Sequence, residues 1–330
     1  MNANDLLDLY ASGKTDFRGQ SLRNFDLVGA DLIGANLQHC DLAGADLSLA
    51  YLSRANLRHC NLAQANLSGA NLNQADLGQA NLTDANLHGA SLQGATLFAV
   101  QLALADLMDA NLLDADLREA QLMSTNLRGA CLRGANLREE TRGDCTDLRG
   151  AILTEVDLRG ANLKGANLSR VNLEGANLRE ANLRSTDLSG ANLREANFKD
   201  ASLSDANLSG ADLSGAQLQI ARLERVLLQG ANLTACNLEG ALLADAKLGQ
   251  ATLAQANLKQ AKLSRVDLSR ANLQGASLVG AMLVEAYLAR TNLTQADLTD
   301  ANLSRAELSS AILTQAILTG ATMPDGSSYL

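Results

Sequence analysis

Tryptophan is absent from this 330-residue chain, proline occurs once, and aromatic residues make up only 2% of it. So little proline and so few large aromatic side chains are unusual for an ordinary globular domain. Leucine, alanine and asparagine dominate instead. A bias of this kind indicates internal repetition, and it makes a search for repeats the first step.

Other features that the sequence lacks exclude whole classes of protein. It has no run of about 18 apolar residues, so we expect no membrane span. Its start, MNANDLLDLYASGKTDF, has no secretory signal pattern. The net charge of −9 argues against direct nucleic-acid binding through a basic face. Five irregularly placed cysteines do not resemble a disulfide framework, so we expect a cytoplasmic location.

What the sequence does contain is a repeat of five residues. Residues 189–215 read SGANLREANFKDASLSDANLSGADLSG, with Leu or Phe at every fifth position and Ala two residues before each. These centres run from Phe17 to Leu137 and from Leu148 to Met323, and 58 of the 61 are Leu. The residue just before a centre is usually Asn or Asp.

A period of five fits neither a helix nor a single strand. Five residues advance a helix by about 140° net, so the leucines would spiral round it and define no buried face. In a strand, an odd period would send successive leucines to opposite sides. Because Ala and Leu, two residues apart, do share one face of an extended segment, the chain must turn once in each pentad. We therefore predict a closed coil with Ala and Leu inside.

Segments such as ANLSG, ADLSG and ANLRE resemble the A-(D/N)-L-x-x consensus of the pentapeptide repeat family, over about residues 15–323. The resemblance implies an all-β fold, a right-handed quadrilateral parallel β-helix with four pentads in each coil. Some fifteen coils at about 4.8 Å each predict a solenoid roughly 75 Å long. The terminal ATMPDG is similar to the ending of cyanobacterial members of the family.

Breaks in the repeat determine the expected domain organisation. Asn4 is predicted to cap a short N-terminal helix that ends at Gly13. The bulge between the two repeat segments is interpreted as a tolerated insertion, with a contact loop as the alternative. The predicted parts are a capping helix at 1–14, the β-helix at 15–137, a bulge loop at 138–147, the β-helix at 148–323 and a tail at 324–330.

No cofactor, metal site or catalytic centre is predicted. Cys40 and Cys60 occupy the inward Ala position, whereas His39 and His59 point to solvent. Zinc needs four converging ligands, and one ion cannot easily be held by both sides of the same wall. A convex solenoid also offers no cleft to exclude water, and this argues against an enzyme.

One stretch of the outer surface is predicted to bind a protein partner. No Lys or Arg occurs from His59 to Leu117, and this stretch holds apolar and acidic residues at outward positions. An exposed apolar belt beside negative charge is typical of a partner site. The alternative is that the solenoid merely tolerates scattered apolar residues on its surface. The belt spans nearly a full coil, so its residues cannot all face one partner. The candidate residues are Phe98, Leu104, Met108, Leu113, Asp106, Asp109, Asp114 and Asp116.

A second candidate contact lies near the end of the repeat. Ile312 and Ile317 stand one residue before their centres, in an outward position. We expect the C-terminal tail to cover them. The alternative is that they form the seam of a homodimer made through one end of the solenoid.

The predicted function is a non-enzymatic scaffold that mediates interaction with an unidentified protein partner. The family resemblance implies one alternative, a DNA mimic that binds DNA gyrase. That branch tends to carry many Phe centres, whereas Phe occupies two centres here. The net charge of −9 is also far sparser than the phosphate charge of DNA, one per ~1.7 Å of axis. A third hypothesis is a passive spacer.

Overall fold

The computed structural model describes residues 1–139 and 145–329, which fall into two compact units, Met1–Asn167 and Leu168–Leu330. Within each unit the chain winds into stacked coils, and each coil contains four pentads. The predicted parallel β-helix is therefore present in both units.

Each pentad contributes a single residue of β-pairing. The residue before each centre pairs in parallel with its counterpart 20 residues on, as Asn61 does with Asn81. Backbone hydrogen bonds flank this pair. The Leu62 N–H donates to the Asn81 carbonyl at 2.7 Å, and the Asn81 N–H donates to the Cys60 carbonyl at 2.9 Å. The coils therefore stack with their pentads in register.

A tight turn follows each centre and makes the corner of the coil. The Ala45 N–H donates to the Leu42 carbonyl at 3.0 Å, and Gly44 between them has φ of +68°. A type II turn requires this positive φ at its third residue, and Gly adopts it without strain. The Oδ1 atom of Asp46 accepts the Ser48 N–H at 3.0 Å. Such Asx interactions explain why Asn and Asp recur just before the centres.

The core is a column of leucines and alanines inside the coils. Ala206 and Leu208 are both 0% exposed, and nearly all their equivalents are within 1% of that value. Full burial of one Leu contributes about 2 kcal/mol of transfer free energy. Where Thr replaces the inward Ala, its hydroxyl needs a partner. The Thr125 Oγ1 donates to the Leu102 carbonyl at 2.8 Å.

The N-terminal helix, α1, spans Ala3–Ala11. Its N-cap is Asn2 rather than the predicted Asn4. The Asn2 Oδ1 accepts the Asp5 N–H at 2.9 Å, and the Asp5 carboxylate accepts the Asn2 N–H at 2.8 Å. This reciprocal capping box starts the helix earlier, so Asn4 lies inside it.

Helix α1 packs on the first coil. Leu6 is fully buried, and the Tyr10 hydroxyl donates to the Ile33 carbonyl at 2.7 Å. At its C-terminal end Gly13 has φ of +97°, and the N–H groups of Gly13 and Lys14 donate to the last turn at 2.8 and 3.1 Å. This pair of hydrogen bonds is a Schellman motif. It ends the helix at a residue with a left-handed backbone, a conformation that Gly adopts most easily.

One coil of the first unit contains an insertion. Gln121 pairs with Asp147, 26 residues on instead of 20. Thr146 is buried in the inward position, so the coil resumes there. The predicted loop at 138–147 is therefore too long at its C-terminal end, because both Thr146 and Asp147 lie in the wall of the coil. Its residues 140–144 lie outside the described part of the chain.

The second unit ends in a hairpin. Thr322 pairs antiparallel with Ser328, and the Tyr329 N–H donates to the Ala321 carbonyl at 2.8 Å. The Gly326 N–H donates to the Met323 carbonyl at 2.9 Å and closes the turn. Tyr329 thus folds back beside the last pentad, whereas Leu330 lies outside the described residues.

Candidate functional site

The chemistry available to a partner lies on the outer surface, because Leu and Ala fill the interior. In the parts of the chain that the structure describes, no group of three or more His, Cys, Asp or Glu side chains is placed to hold a metal ion. Among the same residues, no helix has the length and the apolar character needed to cross a bilayer.

The predicted apolar belt runs round one whole coil of the first unit. Only Leu104 is strongly exposed, at 62%, and the other three residues are half-buried. Because opposite faces of a coil point in opposite directions, one compact partner cannot contact the complete belt. The belt residues lie on three faces and one corner. Phe98 and Met108 lie on opposite faces, Leu113 lies on the face that follows Met108, and Leu104 lies at a corner.

Phe98 is covered by Arg118, which lies one coil further along the same face. The guanidinium carbon is 5.7 Å from the ring centroid, a cation–π geometry. Arg118 also pairs with Asp116, with Nη2 and Oδ2 2.6 Å apart. Burial acts to raise the pKa of Asp116, but the hydrogen bonds and charge of Arg118 outweigh it and lower that pKa below its ordinary value. This face therefore presents a paired charge rather than a free aromatic ring.

The structure places Met123, which the sequence analysis missed, beside Leu104 on the next coil, and Met108 follows Leu104 on the adjoining face. The Leu104 N–H donates to the Met123 carbonyl at 3.1 Å, and Met123 is 39% exposed. Between Leu104 and Met108, Asp106 accepts the Met108 N–H at 3.1 Å and the Asn126 side-chain amide at 2.9 Å. We call Leu104, Met108 and Met123 the Leu104 corner. The available signal for Met123 was its outward position about one coil after Leu104.

The remaining predicted carboxylates lie at later corners of the same coil. Asp109 and Asp114 are exposed and have φ of +58° and +56°. Asp109 directly follows Met108 and so borders the Leu104 corner. Asp114 follows Leu113 at the next corner and belongs to another side of the coil.

Three exposed aliphatic residues occupy corners with a left-handed backbone. Leu49, Leu104 and Ile220 have φ of +58°, +63° and +60°, and they are 62%, 62% and 58% exposed. This conformation costs a residue with a Cβ atom about 1–2 kcal/mol, and it is an outlier for β-branched Ile. A side chain that is strained and also exposed adds nothing to the core. The same left-handed backbone recurs at corners occupied by polar residues such as Asp109 and Asp114, so what distinguishes these three corners is an exposed aliphatic side chain.

The two His-Cys pairs do not form a converging ligand set. The rings of His39 and His59 stack with centroids 4.8 Å apart and planes within 3°. Parallel rings direct their lone pairs side by side, a geometry that does not suit chelation. Cys40 and Cys60 face the interior, where their thiols donate to backbone carbonyls at 3.0 and 2.8 Å. Burial raises the pKa of Cys60 to about 12, which keeps its thiol protonated.

The expected covering of Ile312 and Ile317 by the tail is wrong. Each remains 50% exposed, because the tail pairs with residues 320–322 instead. The centres of this last coil are half-buried, and within the described residues their N–H groups donate to no backbone carbonyl. An open edge of this kind can pair with another chain. These centres are Leu308, Leu313 and Leu318.

Alternating charges run along one corner of the second unit. Each Arg of this column pairs with a carboxylate one coil before it, and the side chains are largely exposed. Exposed ion pairs add little stability, but they neutralise the carboxylates of that corner. The pairs, with N–O distances of 2.6, 2.7 and 3.3 Å, are Asp205–Arg225, Asp245–Arg265 and Glu285–Arg305.

Comparison with known proteins identifies the repeat over most of the chain. A family model described as pentapeptide repeats matches the chain. The comparison with curated proteins found no match. The family-model matches cover residues 14–48, 50–78, 60–97, 101–138, 144–179, 176–215, 221–260, 248–286 and 281–320.

Several solved structures are similar to this chain. HetL, a pentapeptide repeat protein involved in heterocyst differentiation regulation from the cyanobacterium Nostoc sp. strain PCC 7120, is 31% identical over 100% of both chains, with a TM-score of 0.20. Rfr23, a pentapeptide repeat protein from the cyanobacterium Cyanothece 51142, is 25% identical over 43% of this chain and 97% of its own, with a TM-score of 0.20. QnrB1, a plasmid-mediated fluoroquinolone resistance protein, is 18% identical over 58% of this chain and 90% of its own, with a TM-score of 0.40.

These TM-scores are too low to carry an argument, so the assignment rests on the repeat match, the identity to HetL and the coil geometry. The predicted right-handed quadrilateral β-helix is confirmed.

Proposed function

Because the chain belongs to the pentapeptide repeat family, we propose that it is a non-enzymatic scaffold that binds another protein through the outer surface of its coils. The observation that carries this proposal is Leu104, an aliphatic side chain held at a strained corner with 62% of its surface exposed. Leu104 lies near two further outward apolar residues, Met108 and Met123, and a group of exposed apolar side chains is typical of a surface that a partner covers.

The proposed partner surface is the Leu104 corner. Leu104, Met108 and Met123 supply the apolar contact. Asp106 and Asp109 supply negative charge at its edge, and the Arg149 guanidinium, with Nη2 3.5 Å from the Met123 sulfur, supplies positive charge. An apolar centre with a polar rim is the usual arrangement of a protein interface. The predicted belt is thereby reduced to the part that one partner can reach, and Phe98, Leu113, Asp114 and Asp116 lie outside it.

The non-enzymatic part of the proposal is supported by the surroundings of the charged side chains. Carboxylates on the faces accept hydrogen bonds within Asx turns or pair with Arg, as Asp106 and Asp116 do. Catalytic acids and bases instead need a cleft that removes them from water.

An affinity pull-down tests the scaffold and its surface together. Full-length protein and the double variant Leu104→Ser/Met123→Ser serve as bait, with Ile220→Ser as a matched control because Ile220 is an exposed aliphatic corner residue, at 58%, of the second unit. We expect the wild type and the control to retain a partner that the double variant loses.

Two outcomes of the pull-down contradict the proposal in different ways. Retention of the same proteins by all three baits shows that the Leu104 corner is not the surface. Capture of no protein above background by any bait contradicts the scaffold and favours the passive spacer.

The DNA-mimic alternative receives less support from the charge distribution. The net charge is −9 for 330 residues, and Arg neutralises successive carboxylates along one corner of the second unit. DNA carries one charge for every ~1.7 Å of its axis. A gyrase supercoiling assay distinguishes the two functions, because a scaffold leaves the enzyme uninhibited at micromolar concentration, whereas a mimic inhibits it.

A homodimer contact through Ile312 and Ile317 is part of the proposal. Both side chains are 50% exposed beside the half-buried centres of the last coil. Apolar side chains next to unpaired backbone groups are suited to pairing with a second copy. We also propose a cytoplasmic location, which is consistent with five free cysteines and is testable with a fluorescent fusion.

A further inference from the structure

The densest group of exposed apolar side chains in the first unit lies at its N-terminal end. Val28, Ile33, Leu49 and Tyr51 are 51%, 46%, 62% and 52% exposed. They come from two adjacent coils and surround one corner. We call these four residues the N-terminal apolar patch.

Coil stacking makes this patch continuous. Tyr51 pairs with Asp31 of the previous coil, and the Gly29 N–H donates to the Ser48 carbonyl at 2.8 Å, next to Leu49. Val28 and Ile33 stand on the two sides of that Gly29–Asp31 segment. Neighbouring coils are about 4.8 Å apart. The four apolar side chains can therefore contact one partner together.

A concave site adjoins the patch. Helix α1 and the first coil line a shallow surface cavity of about 420 Å³ that is open to solvent, and the Tyr10 hydroxyl holds the helix in place by donating to the Ile33 carbonyl at 2.7 Å. Cavities that accept an apolar side chain are the usual anchor points of interfaces. The lining residues are Leu7, Tyr10, Ala11, Val28, Gly29, Ala30 and Asp31.

Leu49 occupies a left-handed corner, and its side chain lies against Gly69 of the next coil while 62% of it stays exposed. Its φ is +58°, a conformation that disfavours a branched side chain. The Leu49 Cδ2 atom covers Gly69, because a Cβ atom added to Gly69 would be only 2.8 Å from it. The side chain thus spreads along the corner instead of entering the core, and it enlarges the exposed apolar area.

The charge around the patch is negative. Asp26, Asp31 and Asp46 each accept a backbone N–H, at 3.3, 3.2 and 3.0 Å, and within the described residues none of them forms a salt bridge. The nearby Arg54, which follows Tyr51 on the same coil, donates its Nε–H to the Gln74 side chain at 3.1 Å and not to these carboxylates. Three carboxylates without a cationic partner therefore favour an occupant that brings its own positive charge.

The same charges argue against two other occupants. A second copy docked by this patch would bring the acidic residues of both copies into one interface, and like charges across an interface are unfavourable. An anionic membrane surface would be repelled for the same reason.

We propose that the N-terminal apolar patch binds a short protein segment in which apolar side chains alternate with or flank lysine and arginine. The apolar side chains would cover Leu49 and Tyr51 and enter the cavity beside α1. The basic side chains would pair with Asp26, Asp31 and Asp46. This inference rests on the proposed scaffold function and adds a second surface with a defined partner chemistry.

The test is selection of peptides from a displayed library of random 12-residue sequences on the immobilised full-length protein. We expect enrichment of sequences that combine Lys or Arg with Leu, Ile, Phe or Trp. The most enriched peptide, labelled with fluorescein, is then titrated by fluorescence anisotropy with the wild type and with three variants.

The variants separate apolar contact, charge and folding. Leu49→Gly/Tyr51→Ser should weaken binding about tenfold or more, because it removes the two most exposed anchors. Asp26→Asn/Asp31→Asn/Asp46→Asn should weaken it at low salt and flatten its salt dependence. Ile220→Gly, which removes an exposed corner residue of the second unit, should bind as the wild type does. Far-ultraviolet circular dichroism verifies that each variant is folded.

Several results would overturn the inference. These are no enrichment, enrichment of acidic sequences, or equal binding of the selected peptide to Leu49→Gly/Tyr51→Ser. Concentration-dependent self-association that the same double variant abolishes would assign the patch to a second copy instead. A failure here leaves the pull-down result at the Leu104 corner unaffected, so the two proposals fail separately.

Discussion

Arg118 lies over the ring of Phe98, with its guanidinium carbon 5.7 Å from the ring centroid. The two residues are 20 apart in the sequence and stack on one face because a coil contains four pentads. The same guanidinium pairs with Asp116 at 2.6 Å. A face that looks apolar and acidic in the sequence is therefore partly neutralised and covered by a residue of the next coil.

The Asp116–Arg118 pair predicts a pH dependence of stability. The pKa of Asp116 is lowered in the folded state, so its contribution is present above the unfolded pKa, about 3.9, and is lost as the pH falls through the folded value. Asp116→Asn should lower the free energy of unfolding by about 1 kcal/mol at pH 7. Urea unfolding should show that this difference shrinks at pH 3.

Asp114→Asn is the matched control, because Asp114 is an exposed corner residue of the same coil. We expect little change at either pH. An Asp116→Asn effect of equal size at both pH values would show that the charge of the pair is not its source.

The leucine column predicts a large difference between inward and outward substitutions. Leu208 is 0% exposed, and its replacement by Ala should lower the free energy of unfolding by about 2–5 kcal/mol. Ser209→Ala, at the next and outward position, should change it by less than about 0.5 kcal/mol. Similar effects of the two substitutions in denaturant unfolding would contradict the predicted interior.

The strained corners predict that removing an apolar side chain can stabilise the protein. Ile220 has φ of +60° and is 58% exposed. Ile220→Gly should raise the free energy of unfolding by about 0.5–1 kcal/mol, because relief of left-handed strain exceeds the entropy cost of Gly. Thermal unfolding provides the measurement.

The reverse substitution supplies the control for the strain argument. Gly230 has φ of +65°, and an added Cβ atom would meet no heavy atom within 4 Å. Gly230→Ala should therefore destabilise the protein by about 1 kcal/mol through backbone strain alone. A neutral Gly230→Ala, or a destabilising Ile220→Gly, would mean that these corners are not strained.

The open edge of the last coil predicts self-association. Sedimentation velocity should show a monomer–dimer equilibrium for the wild type, and Ile312→Lys/Ile317→Lys should shift it to the monomer through charge repulsion. Gln229→Lys, an exposed substitution on an earlier coil of the second unit, should leave the equilibrium unchanged. A wild type that stays monomeric as its concentration rises would contradict the contact.

Some differences between expectation and structure had a signal in the sequence, and others had none. Asn2 and Asp5 form a capping box at the three-residue spacing that defines this motif, so the start of α1 was available from sequence. The exposure of Ile312 and Ile317 could not be predicted from the sequence, because it depends on which backbone groups the tail pairs with. The partner of Gln121 depends similarly on an insertion six residues long, which moves it to Asp147.

The sequence by itself determined the interior. A Leu every five residues with Ala two before it allows one arrangement in which all of them are buried, so the coil follows from local periodicity. Only the tertiary structure decided which outward residues are neighbours. Residues such as Phe98 and Arg118, or Leu104 and Met123, meet through coil stacking. Contact between them requires a register between distant segments, which local periodicity does not contain.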